Sequence, residues 1–417
     1  MTPASATLET PPHAVVSQLD PYDEAVLRDP YPHYAALRDA GPVVWMQRYG
    51  VWAVARHDEV QATLADPATF CSSAGVGFAH FGKETPWRKP SIILEADPPD
   101  HSRTRRVLTR VMSPGALAKL RPVFEAAATR FVDDLLERGS FDGVTHLAEA
   151  YPTQVFGDAV GLPSEGRENL MPYGDMVFNG FGPINDRFKA RMATSGAAVA
   201  WINGVCARDQ LSADGFGAAL YAAADAGDIT SEEAGLLVRT LLSAGLDTTV
   251  FTLGNALWCL ARHPDQWALL RQNPKLARQA LEEVLRYEPT FHSFYRTTTR
   301  PVDIGGTLLA ADDKLIVFIG SANRDPRRWD QPEHFDITRK ASGNMAFGTG
   351  IHGCVGQMMA RLEGEIILNA MAQRIESLEL VGEPVLHLNN TVRGLASLPL
   401  RVLPRAQAAA VAMALAE

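Results

Sequence analysis

A short glycine-rich stretch carries the residue best suited to chemistry, a cysteine. Residues 347–356 read Phe-Gly-Thr-Gly-Ile-His-Gly-Cys-Val-Gly. Because glycine destabilises helix and strand interiors, four glycines in ten residues predict a tight loop whose backbone closely approaches another group. The run from Val355 to Met371 is apolar and helix-prone. It places Cys354 at a helix N-terminus, where backbone N–H groups and the helix dipole favour a thiolate.

Taken alone, a single cysteine is most often an inert buried side chain. The surrounding pattern favours another interpretation. Phe-Gly-x-Gly-x-His-x-Cys-x-Gly, followed by Ala360-Arg361-x-Glu363, resembles the haem-binding loop of the cytochrome P-450 superfamily. The resemblance implies haem b as the cofactor, with Cys354 as the axial thiolate ligand of the iron. It also implies that further loop residues contact the cofactor: Phe347, Gly348, His352 and Gly356.

A basic pair earlier in the chain could bind an anion. His101 and Arg105 are four residues apart, so on a helix they share one face. In isolation a solvated basic turn is the simpler interpretation. The haem propionates need cations when they are buried. The resemblance implies that these cations are His101, Arg105, Arg296 and His352.

A long apolar run, Leu236 to Leu260, predicts one buried central helix. Within it, Ala244-Gly245-Leu246-Asp247-Thr248-Thr249 opposes helix propensity, and threonine hydroxyls can bond back to carbonyls and bend a helix. The group resembles the oxygen-activation groove of the superfamily. By that resemblance Asp247 and Thr248 are the acid and the alcohol that deliver protons to dioxygen.

Three segments resemble the bacterial subgroup that oxidises para-substituted benzoates: Trp87 to Leu94, Arg239-Thr240, and Phe294 to Thr299. The resemblance implies that Arg88 and Ser91 hold the substrate carboxylate, helped by the Thr240 hydroxyl and the Arg239 charge. A carboxylate entering an apolar pocket must be paired and hydrogen-bonded. Alternatively, Arg88 is a solvated surface residue or a propionate partner, and the phenylalanines are ordinary core. The remaining expected pocket residues are Leu94, Phe178, Phe181, Ala244 and Phe294.

The resemblance implies a monooxygenase that O-demethylates or hydroxylates acids such as 4-methoxybenzoate. Electrons are expected from a [2Fe–2S] ferredoxin and its NAD(P)H-dependent reductase, because no flavin domain is fused to the chain. An acidic ferredoxin needs a basic docking patch, for which the candidates are Arg327, Arg328, Lys340 and Arg361. The alternatives are a monooxygenase of a terpenoid or fatty acid, a peroxygenase, and a non-catalytic haem sensor.

The composition is that of a globular protein, with 417 residues, 46% hydrophobic and 21% charged. The family resemblance predicts a mainly α fold with a small β-rich region. We expect one cytochrome P-450 domain over residues 21–405, between an N-terminal tail (1–20) and an Ala-rich C-terminal tail (406–417). The net charge of −9 excludes a global nucleic-acid footprint.

The sequence also bears on the cellular compartment. The four cysteines are scattered and contain no CxxC pair, which fits a reducing cytoplasm better than a disulfide framework. No Lys or Arg precedes Arg28, which excludes a secretory signal with a basic n-region. No uncharged apolar run reaches 18 residues, so no membrane span is expected.

Other segments concern the fold rather than the chemistry. Residues 43–54 predict a β-hairpin, Thr230 and Glu233 a capping box, and Leu395 to Leu403 a late hairpin. Glu283-x-x-Arg286 matches the structural salt-bridge motif of the superfamily. His334 stands where many relatives have arginine, which leaves open which residue completes the network around that pair.

Overall fold

The computed structural model describes residues 10–405, and within this range the chain is mainly helical. Short 3-10 turns and one π-helical segment, Val144–Glu149, connect the longer helices. The sixteen α-helices of the described residues are α1 Glu24–Arg28, α2 Tyr31–Ala40, α3 His57–Ala65, α4 Asp100–Val111, α5 Pro114–Arg138, α6 Ala150–Val160, α7 Leu170–Asn179, α8 Asp186–Thr194, α9 Gly196–Val205, α10 Phe216–Asp225, α11 Ser231–Ala244, α12 Asp247–Arg262, α13 Pro264–Gln272, α14 Ala277–Tyr287, α15 Ile319–Ala322 and α16 Gln357–Arg374.

Within residues 10–405, thirteen short strands form small sheets beside the helices. They are β1 Val16–Ser17, β2 Val44–Met46, β3 Val51–Val54, β4 Phe70–Cys71, β5 Ser140–Asp142, β6 Ser293–Thr298, β7 Val302–Ile304, β8 Thr307–Leu309, β9 Lys314–Phe318, β10 Ile375–Leu380, β11 Val385–Leu388, β12 Arg393–Ser397 and β13 Pro399–Pro404. The largest sheet has six strands in the order β1-β2-β3-β9-β6-β4, and another has the order β10-β13-β5. The expected hairpin of β2 and β3 is confirmed, with Trp45 opposite Trp52.

One sequence-based expectation about strand pairing was wrong. β12 pairs with β11, and β13 pairs with β10 and β5, so the segment 395–403 is not a hairpin. Within the expected N-terminal tail, Val16–Ser17 form β1, which pairs in parallel with β2. The Ala-rich tail at 406–417 lies outside the described residues.

The central apolar run forms two helices rather than one. α11 begins with the predicted capping box of Thr230 and Glu233, and ends at Ala244. α12 begins at Asp247, after an interruption at Gly245 and Leu246. Threonine hydroxyls beside this break donate to main-chain carbonyls one turn earlier, as the sequence predicts. By length and composition 231–262 could cross a membrane, but 61% of its most apolar window is buried inside the protein.

The Glu283–Arg286 pair of α14 lies in the core, and both side chains are fully buried. Arg286 donates to Glu283 through two bonds of 2.8 Å, and its other N–H groups reach main-chain carbonyls, including that of His334 at 3.2 Å. Arg339 contributes the second cation, with its Nε 3.2 Å from Glu283 Oε1. Arg339 therefore completes the network, while His334 serves it only through its carbonyl oxygen.

Candidate active site

One cavity of about 440 Å³ lies among α7, α11, α12, β6, the segment 87–94 and the glycine-rich loop. All nine residues predicted to contact substrate line it: Arg88, Ser91, Leu94, Phe178, Phe181, Arg239, Thr240, Ala244 and Phe294. Most of the predicted cofactor and oxygen residues also line it: Arg105, Thr248, Arg296, Phe347, Gly348, His352 and Cys354. His101, Asp247 and Gly356 lie behind its wall.

The glycine-rich loop turns tightly around Cys354. The Cys354 N–H donates to the Phe347 carbonyl at 2.8 Å, which closes the loop. Gly350 has φ +70°, and a Cβ there would lie 2.5 Å from the Leu64 carbonyl, so only glycine fits. Burial raises the pKa of the Cys354 thiol. The backbone N–H groups of Gly356 and Gln357 donate to the sulfur and partly oppose this rise. Cys354 thus lies just before the first turn of α16, as predicted.

The polar groups beside this loop fit the carboxylates of a haem. Both ring nitrogens of His101 and Nε2 of His352 are buried without a hydrogen-bond partner among the described residues, and the two rings are 4.3 Å apart. Burial lowers the pKa of His101 to about 4. Burial also lowers the pKa of Arg296 to about 10, and its one hydrogen bond is to the Tyr295 carbonyl at 2.8 Å. Asp97 is the nearest anion, with Oδ1 3.8 Å from His352 Nε2. Buried polar groups without hydrogen-bond partners are costly, and two propionates would accept hydrogen bonds from the histidine rings and the Arg296 guanidinium.

Comparison with known proteins decides the family. A family model described as "Cytochrome P450" matches residues 209–402. Over 387 residues the chain is 52% identical to "Cytochrome p450 CYP199A2" of Rhodopseudomonas palustris, and the match covers 93% of this chain and 94% of that protein. The chain belongs to the cytochrome P450 family.

Other relatives agree. The chain is 34% identical over 401 residues to "Cytochrome P450 monooxygenase PikC" of Streptomyces venezuelae, with 89% of this chain and 91% of that protein covered. The solved structure "cytochrome P450 CREJ in complex with (4-ethylphenyl) dihydrogen phosphate" superposes with a TM-score of 0.81 at 27% identity, covering 92% of this chain and 98% of that one. The protein is therefore a haem-thiolate monooxygenase, which requires haem b, dioxygen, redox partners and a substrate. Bound haem supplies the oxygen-activation chemistry.

The break between α11 and α12 adjoins the P450 cavity, because Ala244, Thr248 and Thr249 line the cavity wall. Thr248 Oγ1 donates to the Ala244 carbonyl at 2.9 Å, and Thr249 Oγ1 to the Gly245 carbonyl at 3.2 Å. A Cβ on Gly245 would lie 2.5 Å from the Phe156 ring, so the neighbouring helix excludes larger residues there. Thr248 is left facing the cavity at the point where the helix is locally unwound.

Asp247 points away from the same cavity. Its side chain is fully buried, and neither carboxyl oxygen has a hydrogen-bond partner within residues 10–405. It packs on the backbone of α7, where a Cβ on Gly174 would lie 2.1 Å from Asp247 Oδ2. Burial raises the pKa of Asp247 well above its usual range. The structure thus separates the two predicted members of the acid–alcohol pair, with the acid behind the wall and the alcohol within it.

The segment 87–94 contains a residue that the sequence did not reveal. Arg88 Nη2 donates to Glu95 Oε1 at 2.9 Å, and the Ser91 N–H donates to Glu95 Oε2 at 2.7 Å. The Glu95 side chain is only 1% exposed. The Ser91 hydroxyl accepts from the N–H of Leu94 at 3.2 Å, so its own O–H remains available to a ligand. No sequence pattern marks Glu95, because a carboxylate four residues after a serine is common.

The cavity wall is aromatic near Arg88. Phe181 contacts Phe178 at 6.1 Å between ring centroids and Phe294 at 6.0 Å. Phe291, which was not predicted, stacks on Phe294 at 4.1 Å with an angle of 11°. The guanidinium of Arg88 lies 5.6 Å from the Phe181 ring. An apolar ring and a charged group can therefore be accommodated side by side.

Three residues that were predicted to contact a ligand or a partner protein already have partners within this protein. The Thr240 hydroxyl donates to the Leu236 carbonyl at 2.9 Å, so in this arrangement it offers no O–H to a carboxylate. Of the predicted docking residues, Arg361 is ion-paired with Glu282 and Arg327 with Asp325.

Proposed function

We propose that this P450 oxidises para-substituted benzoic acids and O-demethylates 4-methoxybenzoate. The observation that carries the proposal is the make-up of the cavity wall, which holds four arginines, several phenylalanines and no Asp or Glu among its lining residues. Two of the arginines, Arg105 and Arg296, are assigned with the histidines to the propionates. Arg88 and Arg239 remain for a substrate anion, in an otherwise apolar space that suits one benzene ring.

The proposed reaction consumes one dioxygen, two electrons and two protons for each methyl group removed. Hydroxylation of the methoxy carbon gives a hemiacetal, which collapses to 4-hydroxybenzoate and formaldehyde, and the second oxygen atom leaves as water. Cys354 would ligate the iron, and His101, Arg105, Arg296 and His352 would hold the propionates. Thr248 would hold a water at the helix break, and Asp247 would pass protons to it from behind the wall.

Anchoring one end of the substrate would fix which atom reacts. A carboxylate held by Arg88 and the Ser91 hydroxyl places the para substituent at a fixed distance from it across a rigid ring. Such positioning holds the para substituent in one orientation for reaction, rather than leaving its orientation to chance. The solved structure of a relative with (4-ethylphenyl) dihydrogen phosphate supports an anionic, para-substituted ring as ligand class.

We propose a [2Fe–2S] ferredoxin and its NAD(P)H-dependent reductase as electron donors, in a cytoplasmic setting. All four cysteines are free, which is consistent with a reducing compartment. Arg328 and Lys340 remain the best docking candidates, since Arg327 and Arg361 already hold carboxylates. We treat residues 21–405 as one catalytic domain.

Ligand titration of the haem-loaded protein, followed by the haem absorption spectrum, tests the substrate. 4-Methoxybenzoate is expected to bind at least about tenfold more tightly than its uncharged methyl ester, and Arg88→Gln to abolish that difference. Arg103→Gln is the matched control, because Arg103 pairs with Glu233 on the surface and does not line the cavity. Equal binding of acid and ester by the wild type would refute the benzoate proposal, and formaldehyde release with the ferredoxin system would establish the reaction.

A further inference from the structure

The two arginines in the anion-binding part of the cavity, Arg88 and Arg239, differ in whether they already have an ion-pair partner. Arg88 is already paired with the buried carboxylate of Glu95 at 2.9 Å, with 18% of the Arg88 side chain exposed. Arg239 lines the same cavity and has no ion-pair or hydrogen-bond partner in the described part of the chain. Burial raises the pKa of Tyr173, and the charges of Arg239 and then Arg88 oppose this, so both guanidinium groups act on one phenol.

Glu95 does not line the cavity, yet it fixes two groups that do. One carboxyl oxygen accepts from Arg88, and the other accepts from the main-chain N–H of Ser91 at 2.7 Å. The Glu95 N–H in turn donates to the Ser91 carbonyl at 3.1 Å, which closes the turn on itself. A carboxylate that holds an arginine and a backbone amide in this way restricts the arginine to one rotamer. Such charge-assisted bonds are among the stronger ones in proteins.

Three charged side chains, Arg88, Arg239 and Glu95, set the net charge of the anion-binding site. Arg88 and Arg239 contribute two positive charges, and Glu95 contributes one negative charge directly against Arg88. One positive charge therefore remains uncompensated in the cavity wall. A ligand with a single negative charge neutralises it, whereas a dianion would leave an excess negative charge beside Glu95, which is costly at low dielectric.

We propose that Glu95 is a positioning residue that fixes Arg88 in the cavity wall, cancels its charge, and thereby makes the site select aromatic monoanions over dianions. This inference rests on the proposed function, since it concerns the same anion-binding site. It defines the substrate class by charge: one carboxylate or similar monoanion on a para-substituted ring. Ligands with the same ring but a doubly charged head group are excluded because of Glu95 rather than because of size.

Three ligands that share the 4-methoxyphenyl group test the charge count on the haem-loaded protein. They are 4-methoxybenzoate, its neutral methyl ester, and 4-methoxyphenyl phosphate, which is close to a dianion at about pH 8. For each variant the measured quantity is the ratio of the phosphate Kd to the benzoate Kd, read from the haem spectrum. In Glu95→Gln the site carries two positive charges, so this ratio is expected to fall about tenfold or more relative to wild type.

Matched variants separate a local charge effect from a general one. Glu84→Gln removes the same charge from an exposed position eleven residues earlier in the chain, where the Glu84 carboxylate accepts from the His80 N–H. It is expected to leave the ratio within about threefold of wild type. Glu95→Asp retains the charge and is expected to leave the ratio within the same range. The double variant Glu95→Gln/Arg239→Gln restores a single uncompensated charge and should recover the wild-type preference. An unchanged ratio in Glu95→Gln would overturn the proposal.

If Glu95→Gln fails to fold, Arg239→Gln provides an independent test of the charge count. Arg239→Gln alone leaves Arg88 and Glu95 as a neutral pair, so benzoate binding should weaken about tenfold while the methyl ester is unaffected. Unchanged benzoate binding in Arg239→Gln would overturn the inference. The two proposals fail differently, because a wild type that binds acid and ester equally refutes benzoate as the substrate. A wild type that prefers the acid, with a ratio that Glu95→Gln does not move, refutes only the role of Glu95.

Discussion

Asp247→Asn is expected to make the protein more stable at neutral pH while slowing its turnover. The reason lies in the surroundings of the carboxyl group, which is fully buried and has no hydrogen-bond partner for either oxygen in the described structure. Burial raises the pKa of Asp247 well above its usual range, with a further contribution from the charge of Asp175. Asparagine has nearly the same shape and never has to bind a proton.

The size of the effect follows from proton linkage. In the unfolded chain the Asp247 carboxyl ionises near its ordinary pKa of about 3.9, whereas the folded protein keeps it neutral to higher pH. The folded state then binds the extra proton, so stability falls as pH rises from about 3.9 toward the folded pKa. Each pH unit costs about 1.4 kcal/mol, or roughly 4 kcal/mol by pH 7 if the group is still neutral. Local relaxation reduces this, and we expect Asp247→Asn to gain about 2–4 kcal/mol.

Denaturant unfolding of both proteins at about pH 5.5, 6.5 and 7.5 measures this gain. The advantage of the variant should grow with pH by about 1.4 kcal/mol per unit while the native carboxyl stays neutral. Turnover should fall by about 10²-fold if Asp247 relays protons. The Kd for substrate should change little, because Asp247 does not line the cavity. A variant that is no more stable than wild type, or an advantage independent of pH, would show that native Asp247 is ionised.

Glu363 provides the matched control for Asp247. It is 1% exposed on α16, its Oε2 has no partner among the described residues, and burial raises its pKa well above the usual range. Glu363→Gln should therefore show the same pH-dependent stabilisation. Its turnover should match the wild type, since it lies on α16 and has no part in the proposed proton relay through Asp247 and Thr248. A loss of turnover in both variants would mean that the effect at Asp247 is structural rather than a loss of proton delivery.

Further substitutions test the supports of the site. Gly174→Ala places a methyl group 2.1 Å from Asp247 Oδ2; it should cost about 1–3 kcal/mol in denaturant unfolding and slow turnover by displacing the acid. Glu283→Gln removes the charge partner of fully buried Arg286; it should cost about 3–5 kcal/mol in the same assay, together with faster haem loss. Lys314→Met removes an ammonium group that donates to three carbonyls of residues 74–79; amide hydrogen exchange there should accelerate.

Each of these substitutions has a counterpart of the same type at an unconstrained position. Gly204→Ala meets no atom within 4 Å in α9 and should stabilise the helix by about 0.5–1 kcal/mol. Glu125→Gln breaks only an exposed i,i+4 pair with Arg121, at a cost below about 1 kcal/mol. Lys83→Met alters a side chain that is 59% exposed and should leave exchange at residues 74–79 unchanged. Equal effects at the buried and the unconstrained positions would contradict the assigned contacts.

Local sequence patterns predicted the parts of the site that depend on local geometry. The loop around Cys354 needs glycine at Gly350 because of a positive φ and a close carbonyl, and both constraints leave a visible spacing in the sequence. The capping box at Thr230 is similarly local. The pairing of β13 is not local: instead of forming a hairpin with β12, it pairs with β10 and with β5 from much earlier in the chain, while β12 pairs with the preceding strand β11. The pairing partner is fixed by tertiary packing that a single sequence does not display.

The residues that sequence reasoning missed are those that act on a site residue rather than on a ligand. Glu95 was not predicted, and Arg88 was expected to meet the substrate carboxylate or, alternatively, solvent or a propionate, yet the two side chains are already paired. The same holds for Arg339, which completes the Glu283 network from 56 residues away. A motif identifies groups that touch a cofactor or substrate, because their spacing is fixed by that ligand. The residues that hold these groups in place contact them only in the folded protein, so no sequence spacing marks them. Their charge also affects which ligands the neighbouring site residue can bind. Both arginines that the sequence marks for a substrate anion line the cavity of this P450, but Arg88 is already paired with an unmarked glutamate, whereas Arg239 has no such partner among the described residues.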